Sequence, residues 1–412
     1  MENINWDFTE SDTKYATHGF HTYPAMMVPQ IASKLIKEFG KKKKLVYDPY
    51  CGTGTTLVEA NLAGIDAFGT DLNPLARLIS KAKTSIIEPQ TLDLLIKDFY
   101  DFLFFYRFDF SKKDSIIKPT FQGIDFWFSK NVTTDLAIVK SYIDNIQDIH
   151  ARDFFLVAFS QTIRECSWTR KNEFKLYKMD AEKIKTFKPD VFNTIERILS
   201  RNRKGLLDFI KLKKGESKTS IFNLNTVNEN PTKIFHDYPP DLVVSSPPYG
   251  DSSTTVAYGQ FSRLTNQWLN INEAGKLDSE LMGGKRAVKL ENFESKILNL
   301  DLKKISKIDE LRALDVSSFY SDYQDSITNI SKSVKKKAII SYVVSNRCVK
   351  GVTLQTHKIT KDFFEANNFI HKGTYERKIS SKRLPRKNSP TGISGEKRTL
   401  MNKEYIIVMQ KN

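Results

Sequence analysis

Leu45-Val46-Tyr47-Asp48-Pro49-Tyr50-Cys51-Gly52-Thr53-Gly54-Thr55-Thr56 runs from a short apolar segment through a glycine turn into helical spacing at Leu57, Val58, Ala60 and Leu62. The order is buried strand, tight turn, helix. Glycines in such a turn let a ligand approach the backbone closely, and the helix start presents free N–H groups. Asp48, Pro49, Gly52, Thr53, Gly54 and Thr55 are therefore candidate ligand-binding residues. No lysine follows the glycines, as a polyphosphate-binding loop requires. The ligand reads as an adenosine without a polyphosphate. Alone, two glycines in a turn also fit a structural bend with no ligand.

The neighbouring sequence strengthens the ligand reading. Asp66 to Thr70 fits a second strand, with Gly64 as the C-terminal cap of the helix before it. The strand ends in Asp71-Leu72-Asn73-Pro74. An acidic residue about 20 positions beyond the glycine turn, at the end of the next strand, is placed to grip ribose hydroxyls. Asp71 stands there. Asn73 suits a helix N-cap and Pro74 its first turn, and the helix continues through Leu75, Leu78, Ile79 and Ala82. Upstream, Met26, Met27, Ile31, Leu35, Ile36 and Phe39 recur at helical spacing, which predicts a helix over 23–40. Residues 23–84 thus read as helix, strand, helix, strand, helix, the start of a doubly wound parallel sheet.

From residue 85 to 215 the rhythm changes. Leu136 to Ile149, Asp153 to Glu165 and Val191 to Ile210 look helical and strand signals are few, so this part reads as a helical insertion. Strands resume at Ser220-Ile221-Phe222 and at Asp241 to Ser245. Residues 269–315 are polar with weak periodicity. Ala338 to Val344 and Glu404 to Met409 read as strands, with a helix over Lys361 to Asn367. Between them lies a basic loop from Arg377 to Arg398.

Just past the strand at Asp241 to Ser245 stands Ser246-Pro247-Pro248-Tyr249. Consecutive prolines have no N–H and hold their carbonyls rigidly. A hydroxyl, fixed carbonyls and an aromatic ring suit an exocyclic amine as nucleophile. Such an amine is planar because its lone pair is delocalised into the base. Acceptors at Ser246 and the Pro247 carbonyl would hold its two protons and free the lone pair for attack on a methyl sulfonium. Tyr249 would stack on a base flipped out of its duplex. Catalysis would be positioning and preorganised dipoles, with no covalent intermediate.

With these motifs the sequence resembles the amino-methyltransferases of DNA found in restriction–modification systems. Residues Asp48 to Thr55 match that family's D-P-[FY]-x-G-x-G-T motif, and Ser246 to Tyr249 match its S-P-P-[YF] form, typical of cytosine-N4 enzymes. His21-Thr22-Tyr23-Pro24-Ala25 looks like the motif that packs on the methionine end of the cofactor. Val343 to Arg347 resembles the strand motif that walls the base pocket. Asn223-Leu224-Asn225 stands where the family often has an acidic residue near the adenine.

The resemblance implies an α/β fold, a Rossmann-like seven-stranded methyltransferase sheet with a mainly helical insertion. It implies S-adenosyl-L-methionine as cofactor, held by Tyr23, Pro24, the glycine motif, Asp71, Leu72, Asn73 and Asn225. It implies duplex DNA as partner, with a cognate restriction endonuclease in the same system. The division is 1–84 cofactor half, 85–215 helical insertion, 216–268 core with the amine motif, 269–330 variable segment, and 331–412 C-terminal strands with the basic loop. Target recognition is expected in the insertion, in the variable segment, or in both. Adenine-N6 methylation stays open beside cytosine-N4, and an RNA base behind both.

Composition agrees. The 412 residues carry a formal net charge of +16, which favours a polyanionic partner, although a lysine-decorated surface gives the same balance. Arg377, Lys378, Lys382, Arg383, Arg386 and Lys387, with Lys397 and Arg398, crowd one loop and are the candidate phosphate contacts. The three cysteines are far apart and none follows a proline. That disfavours disulfides, structural zinc and a thiolate attack on cytosine C5. The histidines show no metal spacing. The N-terminus is acidic and polar and no apolar run approaches a membrane span, so the expectation is a cytoplasmic protein without membrane or metal.

Overall fold

The computed structural model describes residues 5–41, 44–108, 113, 115–171, 173–235, 238–251, 254–271, 275–379, 387–388, 398–399 and 403–412. Seven strands form the central sheet: β1 (Leu45–Asp48), β2 (Asp66–Thr70), β3 (Thr219–Phe222), β4 (Leu242–Ser245), β5 (Ile339–Val344), β6 (Phe369–Lys378) and β7 (Lys403–Lys411). Their spatial order is β3-β2-β1-β4-β5-β7-β6. The pairs β3–β2, β2–β1, β1–β4 and β4–β5 are parallel. β7 runs antiparallel to both β5 and β6. The chain order reverses between β1 and β4, and ligands of doubly wound sheets bind beyond the carboxyl ends of strands at such a reversal.

The central strands are apolar on both faces because both are covered. Val46, Val244, Val343 and Ile406 pack on one face against α1 (Pro29–Phe39) and α2 (Thr55–Leu62). The alternate residues Tyr47, Val243, Tyr342 and Ile407 face a second core, with Leu302, Tyr320, Tyr323, Ile327 and Phe363. α3 (Pro74–Thr84) joins the sheet to a third cluster. That cluster holds α4 (Pro89–Phe108), α5 (Lys130–Asp144), α6 (Ile149–Cys166), α7 (Val191–Leu212) and α8 (Tyr258–Trp268). The helical insertion therefore shares one core with α3 and α8, centred on Phe154, Phe155, Phe159 and Trp268. The second face is covered by α9 (Lys296–Ser306), α10 (Glu310–Ser333) and α11 (Thr356–Ala366).

Several expectations shift. The first helix begins at Pro29, not near Tyr23. Pro24 and the positive φ of Ala25 (52°) keep the preceding residues irregular. The predicted helix to Ile149 ends at Asp144, and Asp148 caps a new one through the Ala151 N–H. Residues 269–315, without a clear period, contain α9 and the start of the 24-residue α10. The presumed start of the basic loop is the end of a ten-residue strand, β6.

Candidate functional site

The glycine turn forms because β1 ends against a backbone that must reverse tightly. Gly54 adopts φ +79°, and a Cβ there would lie 2.3 Å from Ser80 Oγ. Gly52 has φ +48° and nothing within 4 Å of a Cβ position, so its face is left open. Its N–H donates to Asp71 Oδ2 at 3.0 Å, while Asp71 Oδ1 accepts the Asn73 N–H at 2.7 Å. Each carboxylate oxygen accepts more than one hydrogen bond, so Asp71 keeps acceptor capacity for a ligand's hydroxyls. Burial raises its pKa. Asn73 caps α3 through the Leu75 N–H at 3.1 Å, and its amide donates to Tyr23 OH at 2.8 Å and Ser262 Oγ at 2.6 Å. Tyr23 and Tyr258 stack with ring centroids 6.0 Å apart. One asparagine thus ties the second strand end, the Tyr23-Pro24 segment and α8 together.

Asp48, at the end of β1, is 3% exposed. Its Oδ1 accepts the Ser245 hydroxyl at 2.5 Å and the Tyr50 N–H at 3.1 Å. Burial pushes its pKa up to about 6. Burial likewise pushes the Cys51 thiol up, which makes it a poor nucleophile.

Ser246 follows β4 and its Oγ lies 3.1 Å from the Val343 carbonyl and 3.1 Å from Tyr249 OH. The Tyr249 hydroxyl donates to Glu404 Oε1 at 3.2 Å, and Glu404 Oε2 accepts Arg377 Nη1 at 2.5 Å. Burial and the neighbouring carboxylate hold the Tyr249 phenol protonated. With its one proton on Glu404, Tyr249 leaves Ser246 to donate to Val343 or to the phenol oxygen. Either way the serine's proton is committed and its lone pairs remain for an incoming N–H.

These groups surround one cleft of about 1070 Å³, counted to its open mouth. Of the residues singled out in the sequence, Tyr23, Pro24, Asp48, Pro49, Gly52, Thr53, Thr55, Asp71, Leu72, Asn73, Asn225, Ser246 and Pro248 line it. Gly54, Pro247 and Tyr249 are not among the residues that line it; Pro247 is buried and Tyr249 half-buried. The sequence reading missed Leu281 and Met282, which come from the variable segment, and gave Met26 and Met27 to a helix when they line the cleft. No Lys or Arg lines it among the described residues, and its charged groups are the carboxylates Asp48 and Asp71.

The basic loop is corrected in part. Arg377 is 5% exposed, and besides Glu404 it donates to the Trp6 and Asp7 carbonyls at 3.1 and 3.2 Å. A guanidinium so enclosed supports Glu404 and does not face a phosphate. Lys378 is exposed, its N–H on Asp7 Oδ1 at 2.7 Å. Lys387 belongs to a two-residue strand paired with Arg398–Thr399. Lys382, Arg383, Arg386 and Lys397 lie outside the described residues. Among the described residues no group of His, Cys, Asp or Glu is arranged to hold a metal, and no helix is long and apolar enough to cross a membrane. His18 instead bonds Glu59 Oε1 at 2.8 Å.

Residues 2–81 match a family model described as DNA methylase. Over 426 aligned positions, covering 98% of this chain and 93% of the relative, the sequence is 39% identical to the type II methyltransferase M.MvaI of Kocuria varians. Shorter matches reach M.MjaII of Methanocaldococcus jannaschii, 29% identical over 100 residues (23% of this chain, 19% of that one), and M.BsoBI of Geobacillus stearothermophilus, 23% over 170 residues (40% and 31%). With near-complete coverage of both partners by the first of these relatives, the chain belongs to the type II DNA methyltransferases.

Proposed function

We propose that the protein transfers a methyl group from S-adenosyl-L-methionine to the exocyclic N4 amine of a cytosine flipped out of duplex DNA. The reading rests above all on one observation: Ser246 lines the same cleft as Asp48, Asp71 and the glycine turn. The cleft also fits the cofactor by charge. Its charged lining is carboxylate only, which suits a cationic sulfonium on an adenosine and repels a polyphosphate. The cofactor supplies the electrophilic methyl group when bound. Asp71 would take ribose hydroxyls, the turn at Gly52 to Thr55 would lie against the adenosine, and Tyr23, Pro24 and their neighbours would hold the methionine end. Asn225, whose Oδ1 already accepts the Val227 N–H at 3.0 Å, would stand on the adenine side.

On the substrate side, Ser246 Oγ and the Pro247 carbonyl accept the two amine protons and turn the nitrogen's lone pair towards the methyl group. Tyr249, fixed through Glu404, holds the rigid Ser-Pro-Pro turn and offers its ring to the base. No thiolate is needed, in keeping with the raised Cys51 pKa. The serine before Pro-Pro favours cytosine N4 over adenine N6. Lys378, Lys382, Arg383, Arg386 and Lys387 remain the proposed phosphate contacts, and a partner nuclease in a restriction–modification system fits the family.

Purified protein incubated with mixed-sequence duplex DNA and isotope-labelled S-adenosyl-L-methionine tests this. After digestion to nucleosides, label in N4-methylcytosine is the expected result. Label in N6-methyladenine would overturn the base assignment while keeping the fold and the amine chemistry. Label in neither base, with cofactor still bound, would overturn DNA as substrate.

A further inference from the structure

Beyond Met282 the chain leaves the cleft wall and makes a loop from Gly283 to Glu291. The loop is held along α10. The Gly283 N–H donates to Asp322 Oδ2 at 2.8 Å, and the Arg286 guanidinium meets both oxygens of Asp315 at 2.5 and 3.2 Å. The Ser318 hydroxyl donates to the Lys285 carbonyl. The Glu291 N–H donates to Ser317 Oγ at 3.1 Å, and the Ser321 hydroxyl donates to Glu291 Oε2 at 2.9 Å. Gly283 turns at φ +66°, where a Cβ would press on Phe319 Cβ at 3.0 Å and Asp251 Cβ at 3.1 Å.

A loop pinned this often at its base is preorganised, yet its tip is left in solvent. Val288 is 96% exposed, with Lys285 and Lys289 exposed on either side. A single exposed apolar residue is ordinary on a protein surface. Here it is a β-branched side chain, stiff at χ1. It sits between two cations, on a braced loop that begins at the wall of the cleft. Val288 is six positions beyond Met282, a reach of at most about 22 Å.

We propose that Val288 is a wedge that enters the duplex beside the target nucleotide, with Lys285 and Lys289 on the flanking phosphates. The inference rests on the reading of the cleft as a site for a flipped base. An extruded base leaves an unstacked gap, and proteins that distort duplexes insert apolar side chains between base steps. The lysines add sequence-independent attraction for the backbone.

The test begins by reading the methylated position from wild-type product on plasmid DNA. Two synthetic duplexes carrying that position follow, one intact and one with an abasic site opposite the target base. Val288→Gly should lower kcat/KM on the intact duplex about tenfold or more. On the abasic duplex, whose target is already unpaired, most of that loss should disappear. Val288→Ile should stay near wild type, and the dissociation constant for S-adenosyl-L-methionine should be unchanged in both variants. Wild-type kcat/KM for Val288→Gly on the intact duplex, or an equal loss on both duplexes, would overturn the wedge. If the wild type labels no DNA, the functional reading itself fails at the first step, before any variant is made, and the wedge falls with it.

Discussion

Asp48→Asn should make this protein more stable and worse at holding its cofactor. The carboxyl of Asp48 is 3% exposed, and burial lifts its pKa from 3.8 to about 6. In the unfolded chain the same group titrates near its ordinary value. Below about pH 4 the carboxyl is protonated in both states and the burial carries no charge penalty. As pH rises through about 6 the folded protein is left with a buried carboxylate, so stability is lost. The shift of about two pKa units, at 1.36 kcal/mol each, corresponds to about 3 kcal/mol at pH 8. At pH 5 the same linkage leaves roughly half of it. Asparagine keeps the shape, and its Oδ1 can still accept from the Ser245 hydroxyl and the Tyr50 N–H, but it carries no charge at any pH. For a chain of this length, with an unfolding entropy near 2.1 cal/mol/K per residue, the gain is about 3 to 4 °C in Tm at pH 8. Thermal melts of wild type and Asp48→Asn at pH 8 and pH 5 read this directly. Titration calorimetry with S-adenosyl-L-methionine should show weaker binding, because the cleft loses one of its two carboxylates. Equal melting temperatures at pH 8, or a gain that does not shrink at pH 5, would refute the reasoning. Site groups held at a cost to stability are a common form of trade-off between stability and activity.

Asp71→Ala removes the acceptor of the Gly52 and Asn73 N–H groups, and each unsatisfied donor costs roughly 1–3 kcal/mol. Equilibrium dialysis should show cofactor affinity at least about tenfold lower. Ser246→Ala combined with Tyr249→Ala should leave cofactor affinity near wild type and cut single-turnover methylation by about 100-fold or more, the range for lost transition-state donors and acceptors; normal turnover would refute the amine mechanism. Arg377→Met should lower the melting temperature but leave the salt dependence of DNA binding unchanged, since Arg377 is enclosed by Glu404, Trp6 and Asp7. A phosphate contact would instead reduce the slope of log affinity against log salt by about one.

The first elements of the sheet, over residues 45–84, were legible because their signals are local. β2 begins and ends where its composition predicts, Asn73 caps α3, and β1 is right at both ends. The amine motif was legible because two prolines after an apolar strand leave little choice of conformation. The losses have a different origin. β6 has alternate residues exposed, and its other face carries His371, Gly373 and Arg377 among its residues, so its apolar period is faint. Met26 and Met27 have helical spacing but line the cleft ahead of the first helix. Leu281 and Met282 reach the cleft from more than 200 residues beyond Gly52, a proximity that only tertiary structure creates. Arg377 looked like its basic neighbours, and nothing local distinguishes a guanidinium aimed inward at Glu404 from one aimed at solvent.

The position of β7 has a consequence for the order in which the protein becomes competent during its synthesis. This strand lies between β5 and β6, and Glu404 at its start faces Arg377 across the ladder while accepting the Tyr249 hydroxyl. A ribosome that has passed β6 has released every strand of the parallel half, yet β6 still has no sheet to join. Tyr249 and Arg377 then lack their shared acceptor. The support of the amine motif is assembled by residues made more than 150 positions after the motif itself. A nascent chain can therefore build the glycine turn and the strands around it early, whereas the surroundings of Tyr249 are completed only when residues 403–411 arrive.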